Sequence, residues 1–165
     1  MTEPTELAIV VTSFEDLYVR EYPGLVAVAT VLSGDDSEDL VQDAMLRAFV
    51  NWDKVQHLER PGGWCHHVLV NLCRSRRRRR VTQARFLSRL RREEPSAPAP
   101  SDDVMSFWSM VRELPERPRL AVALFDAGDR TVVEVAGILG VPEGTVRSDL
   151  SRARSFMLSR MGHQS

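Results

Sequence analysis

The sequence predicts an all-α protein made of two small helical domains joined by a flexible Pro-rich linker. Apolar residues recur at spacings of three and four in several segments, and no segment keeps the alternation typical of a strand. Residues 93–103 contain Pro95, Pro98 and Pro100, a composition that favours a semi-extended linker over a helix. We therefore predict a first domain over residues 10–82, a linker over 83–103 and a second domain over 104–162.

Charge is divided unevenly along the chain, although the formal net charge of the 165 residues is only −1. Residues 1–53 hold 11 acidic and 2 basic residues, residues 54–92 hold 1 and 12, and residues 93–165 hold 11 and 8. Segments so unlike in sign are expected to bind unlike partners. Only the middle segment, which contains the five arginines Arg76–Arg80, suits a phosphate backbone.

Composition and motifs exclude several classes of protein. The longest apolar run, Leu25–Leu32, is shorter than the roughly 20 residues that cross a bilayer. The N-terminus has neither the basic flank nor the apolar core of a signal peptide, so we expect a cytoplasmic protein without membrane insertion. Because no Gly-rich phosphate loop, paired-carboxylate site or nucleophile elbow is present, we expect no enzyme activity and no cofactor.

The first domain is predicted to begin with a helix that is capped by Ser13 and kinked or broken at Pro23-Gly24. Gly34 should end the element that resumes beyond the break. Asp35 and Glu38 then resemble a capping box for a helix over residues 36–50. The apolar side of this helix consists of Leu40, Val41, Ala44, Met45, Ala48 and Phe49, and its polar side of Asp39, Gln42, Asp43 and Arg47.

A third helix is predicted to begin at Pro61, after a loop over residues 51–59, and to carry two different faces. Its apolar stripe consists of Trp64, Cys65, Val68, Leu69 and Leu72, and its polar ridge of His67, Asn71, Arg74 and Arg78. Side chains of the ridge types hydrogen-bond to bases and phosphates, although a solvated face is the plainer alternative. Residues 81–92 are predicted to continue as a basic helix.

The second domain carries the spacing of a helix-turn-helix in Ala136, Gly140 and Val146. Thr131 and Glu134 are placed as the capping box of its first helix. The second helix should run from about Pro142 to Met161, and in this motif its N-terminal half meets base edges in the major groove. The polar side chains expected there are Thr145, Arg147, Ser148, Asp149, Ser151, Arg152 and Arg154. A helical hairpin that binds another protein is the alternative.

Cys65, His66, His67 and Cys73 invite interpretation as a metal site or a Cys–His nucleophile. Successive helical residues diverge by about 100°, so at most two of the four side chains converge on one ion. The two cysteines lie about 12 Å apart along the helix, too far for a disulfide. We therefore expect neither a metal site nor a catalytic residue.

Three stretches resemble the extracytoplasmic-function sigma factors, a bacterial group that keeps only the second and fourth conserved regions of its family. SEDLVQDAMLRAFVNWDKV and RPGGWCHHVLVNLCRSRRRRR resemble the polymerase-binding and −10-reading parts of region two. LPERPRLAVALFDAGDRTVVEVAGILGVPEGTVRSDLSRARSFM is similar to region four. Two matches in the family's order, separated by a Pro-rich linker, are more specific than either alone.

The resemblance implies partners and site residues. It implies core RNA polymerase, through the β′ clamp helices and the β flap, together with promoter DNA, and it allows an anti-sigma protein. Asp39, Gln42, Asp43 and Arg47 match the polymerase-binding positions. The implied −10 contacts are Trp52, His57, His67, Asn71, Arg74, Arg77 and Arg78, and the implied −35 contacts are Thr145 to Arg154 as given above. Asp149 stands where many relatives have a basic residue, so we expect it to accept a hydrogen bond from a cytosine amino group.

Two other functions fit parts of the sequence. A stand-alone helix-turn-helix regulator would use the first domain for dimerisation or sensing, but would have no need of an acidic amphipathic helix beside a polybasic one. A protein of the membrane surface would use the arginine run on anionic lipid, but no apolar anchor accompanies the run. A promoter-specificity subunit, which directs an enzyme without being one, explains both halves.

Overall fold

The computed structural model describes residues 12–91 and 107–162, and within these ranges it contains helices and turns but no strand. The first domain consists of α1 (Phe14–Ser33), α2 (Ser37–Val50), α3 (Trp52–Val55) and α4 (Pro61–Arg91). The second consists of α5 (Phe107–Glu113), α6 (Glu116–Val122), α7 (Val132–Leu139) and α8 (Glu143–Gly162). The all-α prediction is confirmed, while the prolines of the predicted linker lie outside the described residues.

Helix α1 begins where the sequence predicts but is not broken at Pro23. The Ser13 hydroxyl accepts a hydrogen bond from the Asp16 amide, and the helix continues through Pro23 to Gly34, whose φ of 61° ends it. A proline inside a helix removes one backbone hydrogen bond. Leu17, which precedes Pro23, and Leu25, which follows it, are both buried, so packing on both sides of the proline favours an unbroken helix.

The predicted capping box at Asp35 and Glu38 is wrong. A short 3₁₀ turn, Gly34–Asp36, precedes α2, and no side chain caps the helix. The carboxylate of Asp36 instead pairs with Arg76 and Arg80 of α4. The acidic turn therefore connects the start of α2 to the arginine run of α4.

Helix α4 is a single helix of 31 residues that begins at Pro61, as predicted. It continues through residues 83–91, the start of the segment assigned to the linker, because nothing between Pro61 and Arg91 breaks a helix. Its buried side chains Cys65, Leu69 and Val70 pack against α1 and α2. None of the described helices combines the length and apolar character needed to cross a membrane.

The helix-turn-helix of the second domain forms as predicted. The Thr131 hydroxyl accepts from the Glu134 amide, and the Glu134 carboxylate accepts from the Thr131 amide, which completes the capping box. Gly140 ends α7 in the left-handed conformation, with φ 65°. Val135 and Val146 are completely buried between α7 and α8, and Ala136 is nearly so. A π-helical turn, Ala123–Ala127, follows α6 and packs against α1 of the first domain.

Candidate interaction surfaces

The polar side of α2 is open to solvent. Asp39, Gln42 and Arg47 are exposed, and Asp43 is half-buried with its Oδ1 3.3 Å from Nε of Arg47. Ion pairs four residues apart on a helix stabilise the fold by only about 0.3–0.5 kcal/mol. Both side chains can therefore leave the pair to bind a partner at little cost. The four side chains predicted to bind polymerase thus lie together on one accessible face.

An apolar margin accompanies this face. Phe49, which was predicted to lie on the apolar side of the helix, is 59% exposed, although its ring meets that of Phe14 edge-on at 5.2 Å between centroids. Leu46 and Val50 are exposed beside it. Phe49 follows Ala48 by one position and therefore points about 100° away from that buried residue.

The segment after α2 was predicted to be a loop but contains the short helix α3. Trp52 is half-buried and packs edge-on against Phe14 at 5.9 Å between centroids. His57 is exposed. Of the flat side chains assigned to the −10 element, His57 is therefore accessible, and Trp52 presents only part of its ring.

The polar ridge of α4 runs along the side that faces the second domain. Nδ1 of His67 donates to the carbonyl oxygen of Ile138 at 2.9 Å, and its Nε2 accepts from Nδ2 of Asn71 at 3.1 Å. Nε of Arg74 lies 3.3 Å from Oε1 of Glu116. Arg77 and Arg78 are exposed. The structure therefore brings the ridge together as predicted, but also occupies part of it with groups of the second domain.

A buried ionic cluster, which was not predicted from the sequence, joins the two domains beside the ridge. Oε2 of Glu21 lies 2.6 Å from Nη2 of Arg130, and Oε1 accepts from Nε of Arg20 at 2.9 Å. Glu21 is only 3% exposed and Arg130 17%. The sequence around Glu21 does not predict this ion pair, because its partner Arg130 is 109 positions away.

His66 completes the cluster without adding charge. Its ring is fully buried, and Nδ1 donates to the carbonyl oxygen of Gly62 at 3.0 Å. Burial, followed by the nearby Arg130 guanidinium, lowers the pKa of His66 to about 4. The imidazole is therefore neutral near pH 7, and its 3.8 Å approach to Glu21 is not an ion pair at that pH.

Helix α8 presents most of its predicted DNA-reading side chains to solvent. Thr145 is half-buried, and the exposed members of the set are Arg147, Ser148, Ser151, Arg152 and Arg154. Nη2 of Arg147 lies 3.2 Å from the carboxylate of Glu143, one turn earlier. This face lies on the opposite side of α8 from Val146, Ala153 and Met157, which are buried in the domain.

Asp149 is the exception, and the expectation that it is exposed is wrong. It is 1% exposed, and its Oδ2 accepts from Nε and Nη2 of Arg117 at 3.3 and 3.2 Å. Nη1 of Arg152 lies 3.6 Å from the other oxygen, Oδ1. Asp149 lies three residues after Val146 and four before Ala153, on the side of α8 that faces the core. A carboxylate buried in this position binds the two arginines and is not exposed to a base.

No group of three or more His, Cys, Asp or Glu side chains in the described ranges is arranged to hold a metal ion. Cys65 and Cys73 are both buried and unbridged. Burial raises the pKa of Cys65 to about 12 and also raises that of Cys73. Neither thiol is therefore a nucleophile near pH 7, because nucleophilic attack needs the thiolate.

Family models match both halves of the chain. Residues 17–83 match Sigma-70 region 2, and residues 105–157 match Sigma-70, region 4. The ECF RNA polymerase sigma factor EcfG of Rhodopseudomonas palustris is 34% identical over 149 residues, which cover 87% of this chain and 82% of that protein. The ECF RNA polymerase sigma factor SigM of Mycobacterium tuberculosis is 28% identical over 92% of this chain and 78% of its own length.

Solved structures agree with these matches. The sigma factor RpoE of Bartonella quintana, crystallised in complex with the anti-sigma factor NepR, superposes with a TM-score of 0.73 and 28% identity. The superposition covers 90% of this chain and 96% of that one, and therefore includes residues of both domains. CnrH, in complex with the cytosolic domain of CnrY, has the same fold, with a TM-score of 0.65 and 21% identity over 92% and 89% of the two chains.

Proposed function

From the finding that this chain belongs to the extracytoplasmic-function group of the sigma-70 family, we propose how its surfaces divide the work of a promoter-specificity subunit. The protein binds core RNA polymerase and directs transcription initiation at promoters with −10 and −35 elements. The first domain is region 2 and the second is region 4. A stand-alone helix-turn-helix regulator is not favoured, because the first domain matches region 2 instead of a dimerisation domain.

The polar side of α2 binds the β′ clamp helices of polymerase in this proposal. The observation that carries it is the accessible group of Asp39, Gln42, Asp43 and Arg47 on a helix whose other side is buried in the core. The exposed Leu46 and Phe49 next to these polar groups give the surface the apolar component that protein interfaces usually have. Region 4 makes the second polymerase contact, to the β flap.

The DNA contacts follow from the remaining exposed groups. His57, the polar ridge and Arg77 engage the −10 element, with Trp52 offering part of its ring to an unstacked base. The −35 element is read by Arg147, Ser148 and Ser151, with Thr145 beside them, while Arg152 and Arg154 hold the helix on phosphate. Asp149 is not part of this set, because its carboxylate is buried.

Four broader expectations accompany these assignments. The protein carries out no chemistry of its own and works in the cytoplasm, where polymerase and promoters are found. Its regulation involves an anti-sigma protein, as the RpoE structure shows for that relative. The linker connects the two regions along the surface of polymerase.

The polymerase contact is tested by reversing charge on α2. Asp43→Arg and Arg47→Asp should each weaken holoenzyme formation on the order of tenfold, which corresponds to about 1.4 kcal/mol. The double swap restores an ion pair inside the helix but presents the opposite charges to the partner, so it should stay impaired. Affinity is measured by titrating labelled sigma variants with core polymerase, and helicity by circular dichroism.

Promoter selection is tested in parallel by transcription from a genomic promoter library with purified core polymerase. A double swap that binds core polymerase as well as the parent would show that the pair only supports the helix. Promoter-independent transcription by the parent holoenzyme would overturn the function itself.

A further inference from the structure

The two domains of this chain contact each other through hydrogen bonds and a buried ion pair. Besides the Glu21–Arg130 pair, Nε of Arg112 donates to the carbonyl oxygen of Val31 at 3.4 Å, and its Nη2 to that of Thr30 at 3.5 Å. These are carbonyls of the last turn of α1, where a cation is favoured. On α1 these contacts lie at Glu21 and at the Thr30 and Val31 carbonyls, and on region 4 they lie at Arg112 and Arg130.

The placement of these contacts determines what they cover. His67 of the polar ridge is hydrogen-bonded to Ile138 of region 4 and to Asn71, and Arg74 forms an ion pair with Glu116 of region 4. The exposed face of α8 is not used in the contact, since Arg147 and Arg152 remain open to solvent. The closed molecule thus occupies His67, Asn71 and Arg74 of the groups assigned to the −10 element and leaves the −35 face free.

Promoter geometry excludes this arrangement in the working complex. Elements at −10 and −35 are about 25 base pairs apart, which is roughly 85 Å at 3.4 Å per base pair. In the structure, by contrast, the ridge residue His67 is hydrogen-bonded to the last turn of α7, within the helix-turn-helix itself. A single chain cannot read both elements in this conformation, so the domains must separate before initiation.

The Glu21–Arg130 pair is built to favour the closed conformation. Glu21 lies against Gly62 so tightly that a Cβ at position 62 would fall 2.3 Å from its Oε1, so only glycine leaves room for the carboxylate. The paired oxygen is almost fully removed from water, where an ion pair is screened least. On opening, Arg130 returns to solvent while Glu21 stays within region 2 with Arg20.

We propose that Glu21 and Arg130 form a latch that holds region 4 over the polar ridge of α4, so that the free chain is autoinhibited for the −10 element but not for the −35 element. This inference rests on the −10 role assigned above to α4. Polymerase, by binding the two regions at separate places, releases the latch. The latch is an intramolecular contact between the two regions and needs no further protein.

The test compares the free parent with Arg130→Gln, which removes the charge from the latch and touches no group assigned to DNA or polymerase. Small-angle X-ray scattering should show a larger radius of gyration for the variant. Fluorescence anisotropy should show tighter binding of a single-stranded −10 oligonucleotide and unchanged binding of a −35 duplex. If the open state holds about a tenth or less of the parent molecules, complete opening raises −10 affinity about tenfold or more.

Arg160→Gln is the matched control, because it breaks a 2.6 Å ion pair with Glu113 inside region 4 and should change neither measurement. A second opening variant, Glu116→Ala with Arg112→Ala, removes two exposed side chains that hold the domains together, and keeps the latch itself intact. It should open the molecule partially even if Arg130→Gln proves unstable.

The measurements distinguish a failure of the latch from a failure of the proposed function. A compact Arg130→Gln variant, or expansion of either variant without gain in −10 affinity, would overturn the latch. A second variant that stays compact would show that the Glu21–Arg130 pair alone holds the two domains together. Transcription by the holoenzymes of parent and Arg130→Gln should be equal at saturating polymerase. If neither holoenzyme initiated at promoters, the proposed function would fail, whereas the scattering result would still stand by itself.

Discussion

Asp149 illustrates how one carboxylate organises its surroundings from inside a DNA-facing helix. Its oxygens meet Arg117 of α6 and Arg152 of α8, whose side chains are 53% and 69% exposed. The arginines therefore extend into solvent from a fixed anchor, on the surface to which we assign the −35 contacts. Because guanidinium groups bind phosphate, we expect the carboxylate to orient this pair of arginines on phosphate and to read no sequence itself.

Replacing Asp149 by Asn should therefore weaken binding to every −35 sequence alike. The loss of two charge-assisted contacts at a buried oxygen should also lower the free energy of unfolding by about 1–2 kcal/mol. Urea unfolding gives the stability, and anisotropy on a panel of single-base −35 variants gives the specificity. Asp149→Glu should restore part of both. Relaxed preference at one base with unchanged stability would instead show that the carboxylate reaches DNA.

Helix α4 contributes to the core of region 2, to the polar ridge and to the ion pairs of the arginine run at successive positions along its length. Its first turns bury Cys65 and Leu69 in region 2, its middle carries the polar ridge, and Arg76 and Arg80 pair with Asp36. A 31-residue helix keeps these groups in fixed angular relation. Helix α7 is the opposite case, since its eight residues depend on caps at both ends to remain in place.

The N-terminal cap of α7 is expected to stabilise the second domain. Thr131→Ala removes the hydroxyl that accepts from the Glu134 amide and should lower the free energy of unfolding by about 1 kcal/mol. Thr131→Ser, which keeps the hydroxyl, is the control and should lose much less. Chemical denaturation of the full chain measures both. Equal stability of the alanine and serine variants would mean that the cap contributes nothing to the domain.

At the scale of the whole molecule, the uneven charge along the sequence becomes direct pairing in space. Asp36, from the acidic segment, pairs with Arg76 and Arg80 of the basic one. The neighbouring Asp35 lines one pocket together with Arg76, Arg77, Arg80 and Arg112. The free chain therefore presents fewer available cations to DNA than its arginine run suggests.

Asp36→Asn should release Arg76 and Arg80 and tighten non-specific binding of DNA by the free protein, most strongly at low salt. Each arginine that then reaches a phosphate of a single strand should steepen the plot of log affinity against log salt by about 0.7. Anisotropy across a salt series provides the slope. Glu15→Gln, which changes the net charge equally at the exposed start of α1, is the control. An identical slope for parent and Asp36→Asn would show that the pairs do not compete with DNA.

Features that depend on neighbours along the chain could be predicted from the sequence. The caps at Ser13, Thr131 and Gly140 and the start of α4 depend on residues within about one turn of each other, and the helix-turn-helix on one contiguous stretch from Ala136 to Val146. Local hydrogen bonds and steric preferences suffice for such features, and periodicity indicates which side of a helix faces a core. The order of the two sigma regions could be predicted for the same reason, because each region is a contiguous stretch of sequence.

Which polar groups are buried and which apolar groups are exposed depends on how the helices pack, and could not be predicted from the sequence. Glu21 finds Arg130 across 109 positions, and Asp149 faces Arg117 across 32, distances at which no spacing rule connects two side chains. The same holds for the exposure of Phe49 and for α1 continuing through Pro23, since both depend on the helices packed around them. Burial of a charge is favourable only with its partner in place, and the partner's position is a property of the folded molecule.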